Sequence, residues 1–214
     1  MAQTDGGGRP VIVYDLGGVL IDWNPRHLYR KLFEDEAAME WFLAEVCHAA
    51  WNEEQDRGRS FAAGVEEAAA RHPDHRPLIA AYFERWAEML AGEMDGAVAI
   101  LAELKHAGYE LHALTNWSAE TFPFARERFA FLDWFQTILV SADVGLIKPD
   151  PAIFQLLLGR IGRTPAECLY IDDNARNVAA AAALGFDAIA FHDAAQLRDA
   201  LRRRGLLAGR REPD

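Results

Sequence analysis

The chain contains few of the residues that mark secreted, zinc-binding or nucleic-acid-binding proteins. Only two of its 214 residues are cysteines, Cys47 and Cys168, and they lie far apart without a metal-binding spacing. A disulfide framework or a zinc site is therefore not expected. Instead, we expect both cysteines to be buried free thiols of a protein in a reducing compartment. Lys and Arg number 22 against 33 Asp and Glu, a net charge of −11. Nucleic acid and anionic membranes attract basic proteins, so neither is expected as a partner.

Long apolar segments are also missing. No apolar run approaches the roughly 20 residues that a membrane-spanning helix needs. Residues 1–9 are polar and glycine-rich, lack the apolar stretch of a secretory signal, and are expected to be disordered. The sequence thus predicts a cytoplasmic protein, with a charged and frayed tail after Gly209. A pocket can be locally positive inside an acidic protein, so an anionic small molecule remains compatible as a substrate.

Enough apolar sequence is present to form a sizeable core. Hydrophobic residues make up 51% of the chain and charged residues 26%, which is ordinary for a globular protein. Val11–Tyr14 is short and almost wholly apolar, which is typical of a parallel strand buried on both faces. From Asp22 to Gly92 apolar residues recur at helical spacing and no strand is recognised, which predicts a block of three or four helices.

After Gly96 helical and strand patterns alternate. The further predicted strands are Tyr109–Leu114, Thr137–Ser141, Cys168–Ile171 and Ala188–Phe191. The predicted helices are one carrying Val98 to Leu104 and others over Ala119–Phe129, Pro151–Ile161, Val178–Leu184 and Ala194–Leu206. This alternation predicts an α/β fold in which helices cover both faces of a parallel sheet.

Polar side chains fall at the ends of the predicted strands. Asp15 follows the first strand, Thr115-Asn116 the second and Asp172-Asp173 the fourth, and Lys148 lies past the loop after the third. In a parallel sheet these groups meet at one edge. Three carboxylates in one crevice raise one another's pKa, and a divalent cation such as Mg²⁺, which prefers oxygen ligands, relieves that conflict. Together with a lysine and a hydroxyl, they describe a site for a phosphoryl group.

These segments carry a family resemblance. The chain resembles the haloacid dehalogenase superfamily of hydrolases in four motifs that occur in order, from about Val11 to Phe191. The motifs are Asp15-Leu16-Gly17-Gly18-Val19-Leu20, Thr115-Asn116, Lys148-Pro149 and Asp172-Asp173. The resemblance implies a Rossmann-like parallel-sheet core over residues 9–21 and 93–209. It also implies an inserted helical-bundle cap of the C1 type over residues 22–92.

The resemblance implies roles for the matched residues in phosphoryl transfer. Asp15 would be the nucleophile, and Lys148 would steady both that carboxylate and the phosphate. Thr115 and the main-chain amide of Asn116 would bind phosphate oxygens. The Gly17-Gly18 pair lets the backbone turn tightly and approach a bound substrate closely.

The same resemblance implies Mg²⁺ as the cofactor. Its ligands would be Asp15, the main-chain carbonyl of Gly17 and one carboxylate of the final acidic pair. We expect Asp173 to be the direct ligand and Asp172 to lie behind it.

Residues outside the motifs are harder to assign. Trp23 and His27 follow the first motif and could line the pocket entrance, or could belong to a linker and the first turn of the cap. The segment that contains Trp51, Gln55 and Arg57-Gly58 could face the substrate, but a solvated turn is the favoured interpretation. Asp143 could hydrogen-bond Lys148 and orient it.

One position departs from the family pattern. Most phosphatases of this superfamily carry a second Asp two residues after the nucleophile as a general acid, and here that position is Gly17. General acid catalysis contributes about 10²–10⁴-fold to the rate. Either another group such as Asp22 or His27 donates the proton, or the leaving group needs little help, as with a sugar 1-phosphate. The bacterial α-D-glucose-1-phosphate phosphatase group resembles this chain in having glycine there.

A third explanation is that the reaction is not phosphoryl transfer. The 2-haloacid dehalogenases of the same superfamily displace halide from carbon without metal and without that acid. They typically lack the acidic pair that this chain keeps, and two extra carboxylates would strongly destabilise a metal-free site. We therefore predict a Mg²⁺-dependent phosphatase of small phosphomonoesters, such as sugar phosphates, over a metal-independent dehalogenase. A non-catalytic binding protein of the same fold is disfavoured because every other motif residue is intact.

Overall fold

The computed structural model of the chain describes residues 9–208. Residues 1–8 of the expected lead-in, the last residue of the expected core at 209 and the tail beyond it lie outside this range. The strands are β1 (Val11–Tyr14), β2 (Ile21–Trp23), β3 (Leu90–Glu93), β4 (Leu111–Thr115), β5 (Thr137–Val140), β6 (Cys168–Asp172) and β7 (Asp187–Ala190). No helix among the described residues is long and apolar enough to cross a bilayer.

Ten α-helices are formed within residues 9–208. They are α1 (Arg26–Tyr29), α2 (Glu36–Glu45), α3 (Ala49–Asp56), α4 (Phe61–Arg71), α5 (Arg76–Glu84), α6 (Asp95–His106), α7 (Phe122–Arg128), α8 (Pro151–Ile161), α9 (Ala175–Ala183) and α10 (Ala194–Arg203). Short 3₁₀ turns connect some of them. The bounds of α8 show how local sequence sets a helix: the Asp150 side chain accepts from the amide of Ala152, Pro151 is the first residue, and Gly162 ends the helix at φ +65°.

Five strands form one parallel sheet in the order β5-β4-β1-β6-β7, which confirms the predicted α/β fold. The central strand β1 alternates its side chains between two apolar layers. Ile12 and Tyr14 pack in the layer that contains the buried faces of α6 and α10. Val11 and Val13 pack in the layer that contains the buried faces of α8 and α9. Both faces of the sheet are therefore covered, as the apolar composition of β1 indicates.

The helices α1 to α5 lie between β2 and β3, and we call this segment, residues 26–84, the helical insertion. The prediction that no strand lies between Asp22 and Gly92 is wrong at both ends of that stretch. There β2 and β3 pair antiparallel, with Ile21 opposite Glu93 and a register shift after Asp22. Strands of three and four residues with a glycine and an irregular register show no alternation that a sequence pattern could reveal.

The end of α3 also differs from expectation. Trp51 and Gln55 were expected in a solvated turn, but both belong to a helix and are buried. The Trp51 indole donates to the carbonyl of Gly64 at 3.0 Å, and the Gln55 amide donates to the carbonyl of Trp51 at 2.7 Å. The exposed acids Glu53 and Glu54 between them give the segment a polar composition that hides its buried face.

Candidate active site

The carboxyl end of β1 places Asp15 at the middle of one edge of the sheet. Tyr14 lies opposite Ala113 of β4 and Ile171 of β6, so the next residue emerges between the ends of those two strands. The amide of Asp15 donates to the carbonyl of Ile171 at 2.8 Å, and its Oδ1 accepts from the amide of Leu16 at 2.8 Å. The Asp15 side chain is only 11% exposed. Its carboxylate therefore depends on the protein rather than on bulk water for stabilisation.

Lys148 joins two carboxylates of this edge. Its Nζ lies 2.9 Å from Oδ1 of Asp15 and 2.7 Å from Oδ2 of Asp172, and its side chain is 1% exposed. Burial disfavours the ammonium, but the charges of Asp15 and Asp172 outweigh burial and raise the pKa of Lys148. The lysine is therefore charged at neutral pH. No hydrogen bond joins it to Asp143, because both acceptors of its Nζ come from other strand ends.

The Asn116 side chain holds the loop that carries Lys148. Its Nδ2 donates to the carbonyl of Lys148 at 3.0 Å, and its Oδ1 accepts from the amide of Lys148 at 2.8 Å. This double contact fixes the lysine backbone relative to the end of β4. The side chain of Asn116 therefore has a positioning contact that its motif alone does not reveal.

Asp172 is fully buried and its oxygens are occupied by protein donors. Oδ2 accepts from Nζ of Lys148 and from the hydroxyl of Tyr170. Oδ1 accepts from the amide of Asn174 at 2.8 Å, and Nδ2 of Asn177 lies 3.1–3.2 Å from both oxygens. Although desolvation opposes ionisation, Lys148 lowers the pKa of Asp172 below its ordinary value. Asp172 is thus a charged group that holds Lys148 in place.

Asp173 is exposed and lies against the turn after Asp15. Gly18 adopts φ +75°, and a Cβ on it would lie 2.4 Å from Oδ2 of Asp173, so only glycine fits both the turn and this contact. Oxygens of Asp15, Asp172 and Asp173 all lie within 4.8 Å of one another. The cluster of three carboxylates expected at the sheet edge is therefore assembled.

One cavity lies beside this cluster, and a second shares Gly17, Trp23 and Asn116 with it. The first, of about 290 Å³, is lined by Asp15, Gly17, Gly18, Trp23, Thr115, Asn116 and Asp173. We call the second the aromatic cavity. It has a volume of about 60 Å³, and its lining residues are Gly17, Trp23, Asn52, Asp56, Phe61, Trp86, Asn116, Trp117 and Thr121. Nε1 of Trp23, Nε1 of Trp117 and Oγ1 of Thr121 are buried without a hydrogen-bond partner. All three atoms belong to residues that line the aromatic cavity.

Comparison with known protein families identifies the family to which the chain belongs. The family model of haloacid dehalogenase-like hydrolases matches residues 10–185. The chain belongs to this family. A similar relative is a sesquiterpene phosphatase from Aspergillus oryzae, 28% identical over 179 residues, with 81% of this chain and 85% of that protein covered.

Solved structures share the fold of this haloacid dehalogenase-like hydrolase. A family enzyme from Bacteroides thetaiotaomicron in complex with magnesium aligns with a TM-score of 0.69 at 20% identity, covering 92% of this chain and 99% of that one. The L-2-haloacid dehalogenase from Xanthobacter autotrophicus, with chloropropionic acid covalently bound, aligns with a TM-score of 0.62 at 18% identity. That alignment covers 94% of this chain and 85% of the dehalogenase. Because metal-bound and halide-displacing members both align, the fold alone does not separate the two chemistries.

Asp22 and His27, the two side chains considered as alternative proton donors, lie elsewhere. Nε2 of His27 lies 3.0 Å from Oδ1 of Asp22, so the two side chains pair with each other. Neither residue lines a cavity that Asp15 also lines, whereas Trp23 does. Of the two residues expected at the entrance, the structure brings only Trp23 to the site.

Sequence reasoning missed several residues of the site. Tyr170 precedes Asp172 by two residues on the same strand, so their shared face was a signal that could have been used. Asn177 contacts the Asp172 carboxylate, whereas Asn174 caps the helix that follows. Asp56 lies on the helical insertion, so no pattern of strand ends could find it.

Proposed function

We propose that this hydrolase is a Mg²⁺-dependent phosphatase that cleaves small phosphomonoesters through an aspartyl-phosphate on Asp15. The observation that carries the proposal is the cluster of Asp15, Asp172 and Asp173 around a single buried Lys148. Three carboxylates and one ammonium leave a formal charge of −2 in a partly desolvated site. Halide displacement from carbon does not require this excess of negative charge, which would only destabilise a metal-free site.

The donor set fits a hard divalent cation. Burial, together with the charge of Asp172, raises the pKa of Asp15 despite its contact with Lys148. A nucleophile must be ionised, and a cation restores that form. Asp15, Asp173 and the main-chain carbonyl of Gly17 would hold Mg²⁺, and Asp172, whose oxygens already accept from protein donors, would lie behind them. When bound, the ion would neutralise charge on the phosphate oxygens.

The proposed reaction has two displacements at phosphorus, the first by Asp15 and the second by water. A carboxylate oxygen of Asp15 attacks phosphorus, and the ester alcohol leaves. The ammonium of Lys148, the hydroxyl of Thr115 and the main-chain amide of Asn116 stabilise negative charge on the phosphoryl oxygens. Water then hydrolyses the aspartyl-phosphate and regenerates Asp15.

The helical insertion, within the cap proposed over residues 22–92, would cover the site and determine substrate choice. The lining of the aromatic cavity supports a small leaving group with hydroxyl oxygens, because the side chains of Asn52 and Asn116 can hydrogen-bond hydroxyl groups while tryptophan rings stack on the ligand. A sugar phosphate fits this description. The core proposed over residues 9–21 and 93–209 would supply the chemistry, and the cytoplasmic location stays a prediction.

The test is a screen of sugar phosphates and other phosphomonoesters with Mg²⁺, followed by chelation and by an Asp15→Asn variant. We expect phosphate release that stops in EDTA, returns with Mg²⁺, and is absent from the variant, whose circular dichroism matches that of wild type. Undiminished activity in EDTA, or chloride release from 2-chloropropionate without phosphate release from any ester, would identify a dehalogenase instead. Ligand binding without turnover in either assay would identify a binding protein.

A further inference from the structure

The proposed reaction needs a proton donor that the residues named so far do not supply. When the ester bond of an alkyl phosphate breaks, the departing oxygen is a strong base unless it receives a proton. Lys148 is held by two carboxylates, and Gly17 has no side chain. A Cβ built on Gly17 would meet nothing within 4 Å, so open space lies beside the nucleophile.

Asp56, the last residue of α3, borders that open space. It lines the aromatic cavity together with Gly17 and Asn116. It also lines a neighbouring cavity of about 470 Å³ together with Asp15 and Lys148. A carboxyl group from the helical insertion thus faces the same space as the nucleophile from the sheet.

Two contacts fix Asp56 at this place, and a third holds one of its partners. Its main-chain carbonyl accepts from Oγ of Ser141, at the end of β5, at 2.5 Å. Its Oδ2 accepts from Nδ2 of Asn52, one turn earlier on α3, at 3.0 Å. Asn52 is itself held, because its Oδ1 accepts from the hydroxyl of Tyr82 at 3.1 Å. One carboxyl oxygen is therefore oriented by the helical insertion, while the other has no side-chain partner among the described residues.

The environment of Asp56 suits a group that gives and takes a proton near neutral pH. Burial raises its pKa to about 7, and the charge of Glu53 on the same helix adds to this effect. Lys148 and the main-chain amide of Ser118 act in the opposite direction but do not cancel it. An efficient general acid has a pKa near the working pH, because it must carry the proton and also release it.

We propose that Asp56 is the catalytic residue that protonates the leaving oxygen of the substrate. This inference rests on the proposed phosphatase function. As the bond from Asp15 to phosphorus forms, the bond from phosphorus to the ester oxygen breaks, and that oxygen takes the proton of the Asp56 carboxyl. In the second displacement the oxygen of water attacks phosphorus, its proton passes to the Asp56 carboxylate, and the bond to Asp15 breaks. The sum is ester plus water giving alcohol plus phosphate, with both carboxyl groups restored.

The experiment compares wild type with Asp56→Asn on a series of substituted phenyl phosphates, from 4-nitrophenyl to 4-methoxyphenyl, with Mg²⁺. These esters are similar in shape and differ in how strongly the leaving oxygen needs a proton. We expect kcat/KM of the variant to fall by about 10²-fold for the most basic leaving group and by less than about tenfold for 4-nitrophenyl phosphate. The loss of wild-type activity that accompanies deprotonation of Asp56 at higher pH should be missing from the variant.

Two further variants make the test specific. Glu54→Gln removes an exposed carboxylate of the same helix, whose nearest cation is Arg57 at 3.9 Å, and should keep the wild-type dependence on the leaving group. Gly17→Asp places a carboxyl in the open space at an ordinary φ. Combined with Asp56→Asn, it should recover at least about tenfold for the basic leaving groups, because a new donor replaces the lost one.

The outcomes separate this inference from the proposed function. Phosphate release by wild type with the same loss for every ester in Asp56→Asn would refute the inference and leave the phosphatase standing. An unchanged dependence on the leaving group would refute it too. No phosphate release by wild type from any ester would refute the proposed function first. If Asp56→Asn does not fold, as judged by circular dichroism, Asp56→Ser provides the same comparison.

Discussion

Replacing Gly18 by alanine would test whether the turn after Asp15 sets the position of Asp173. Gly18 has φ +75°, and an added Cβ would lie 2.4 Å from Oδ2 and 2.8 Å from Cγ of Asp173. A side chain in the left-handed region costs about 1–2 kcal/mol. The contact cannot persist at these distances, so the Asp173 carboxylate must move away from Asp15.

Two measurable effects should follow from Gly18→Ala. We expect the free energy of unfolding in urea to fall by about 1–2 kcal/mol from the backbone alone. We expect the Mg²⁺ concentration for half-maximal phosphate release to rise roughly tenfold, which corresponds to about 1.4 kcal/mol of lost binding free energy. Both effects come from one methyl group, so they should appear together.

Gly17→Ala is the matched control. Gly17 is outside the left-handed region, and its Cβ would meet nothing within 4 Å. We expect its stability to change by less than about 1 kcal/mol, with a gain as the favoured direction, and its Mg²⁺ dependence to match that of wild type. If Gly18→Ala kept the wild-type Mg²⁺ dependence, the turn would not position Asp173 and the reasoning would be refuted.

Two further predictions concern buried ionisable groups. Lys148→Met should lower the free energy of unfolding at pH 7 by about 3–5 kcal/mol, because the carboxylates of Asp15 and Asp172 lose their buried partner. This deficit should shrink in urea titrations as the pH falls, since protonation removes the charges, and a deficit independent of pH would contradict the explanation. Burial raises the pKa of Cys47 to about 12 and that of Cys168 to about 11. Both thiols should therefore react with a disulfide reagent at pH 8 only after unfolding, and rapid labelling of the native protein would count against this.

The parallel sheet could be predicted from sequence because its strands and helices are marked by local features, namely apolar runs bounded by proline, glycine or a charged residue. Val11–Tyr14 is bounded by Pro10 and Asp15, and the observed strand has those limits. The helix over Pro151–Ile161 also has its predicted limits, since a proline and a glycine mark its ends. The short pairing of β2 with β3 carries no such signal. Its partners are about seventy residues apart in sequence, and the pairing depends on where the chain leaves the helical insertion.

The site was predictable to the extent that strand ends define it. Asp15 follows β1, and Thr115 and Asp172 are the last residues of the neighbouring strands β4 and β6, so a parallel sheet brings them together whatever lies between. Asp56 follows no strand, and its place depends on how α3 packs against the end of β5. Single-sequence patterns show which face of a helix is apolar but not which element that face meets. For this reason the favoured interpretation of a solvated turn was wrong for Trp51 and Gln55, although Arg57-Gly58 does form an exposed turn.

The pairing of β2 with β3 has a consequence for protein engineering. The chain enters the helical insertion through β2 and leaves it through β3, with Ile21 opposite Glu93 and the amide of Met94 donating to the carbonyl of Leu20 at 2.9 Å. The two ends of the intervening segment are thus neighbours, and an unrelated helical module could be grafted between them at a small cost in loop-closure entropy. Such a chimera would inherit Asp15 and Lys148 but not Asp56. It should therefore hydrolyse activated aryl phosphates. It should not hydrolyse alkyl phosphates unless the new module supplies a general acid.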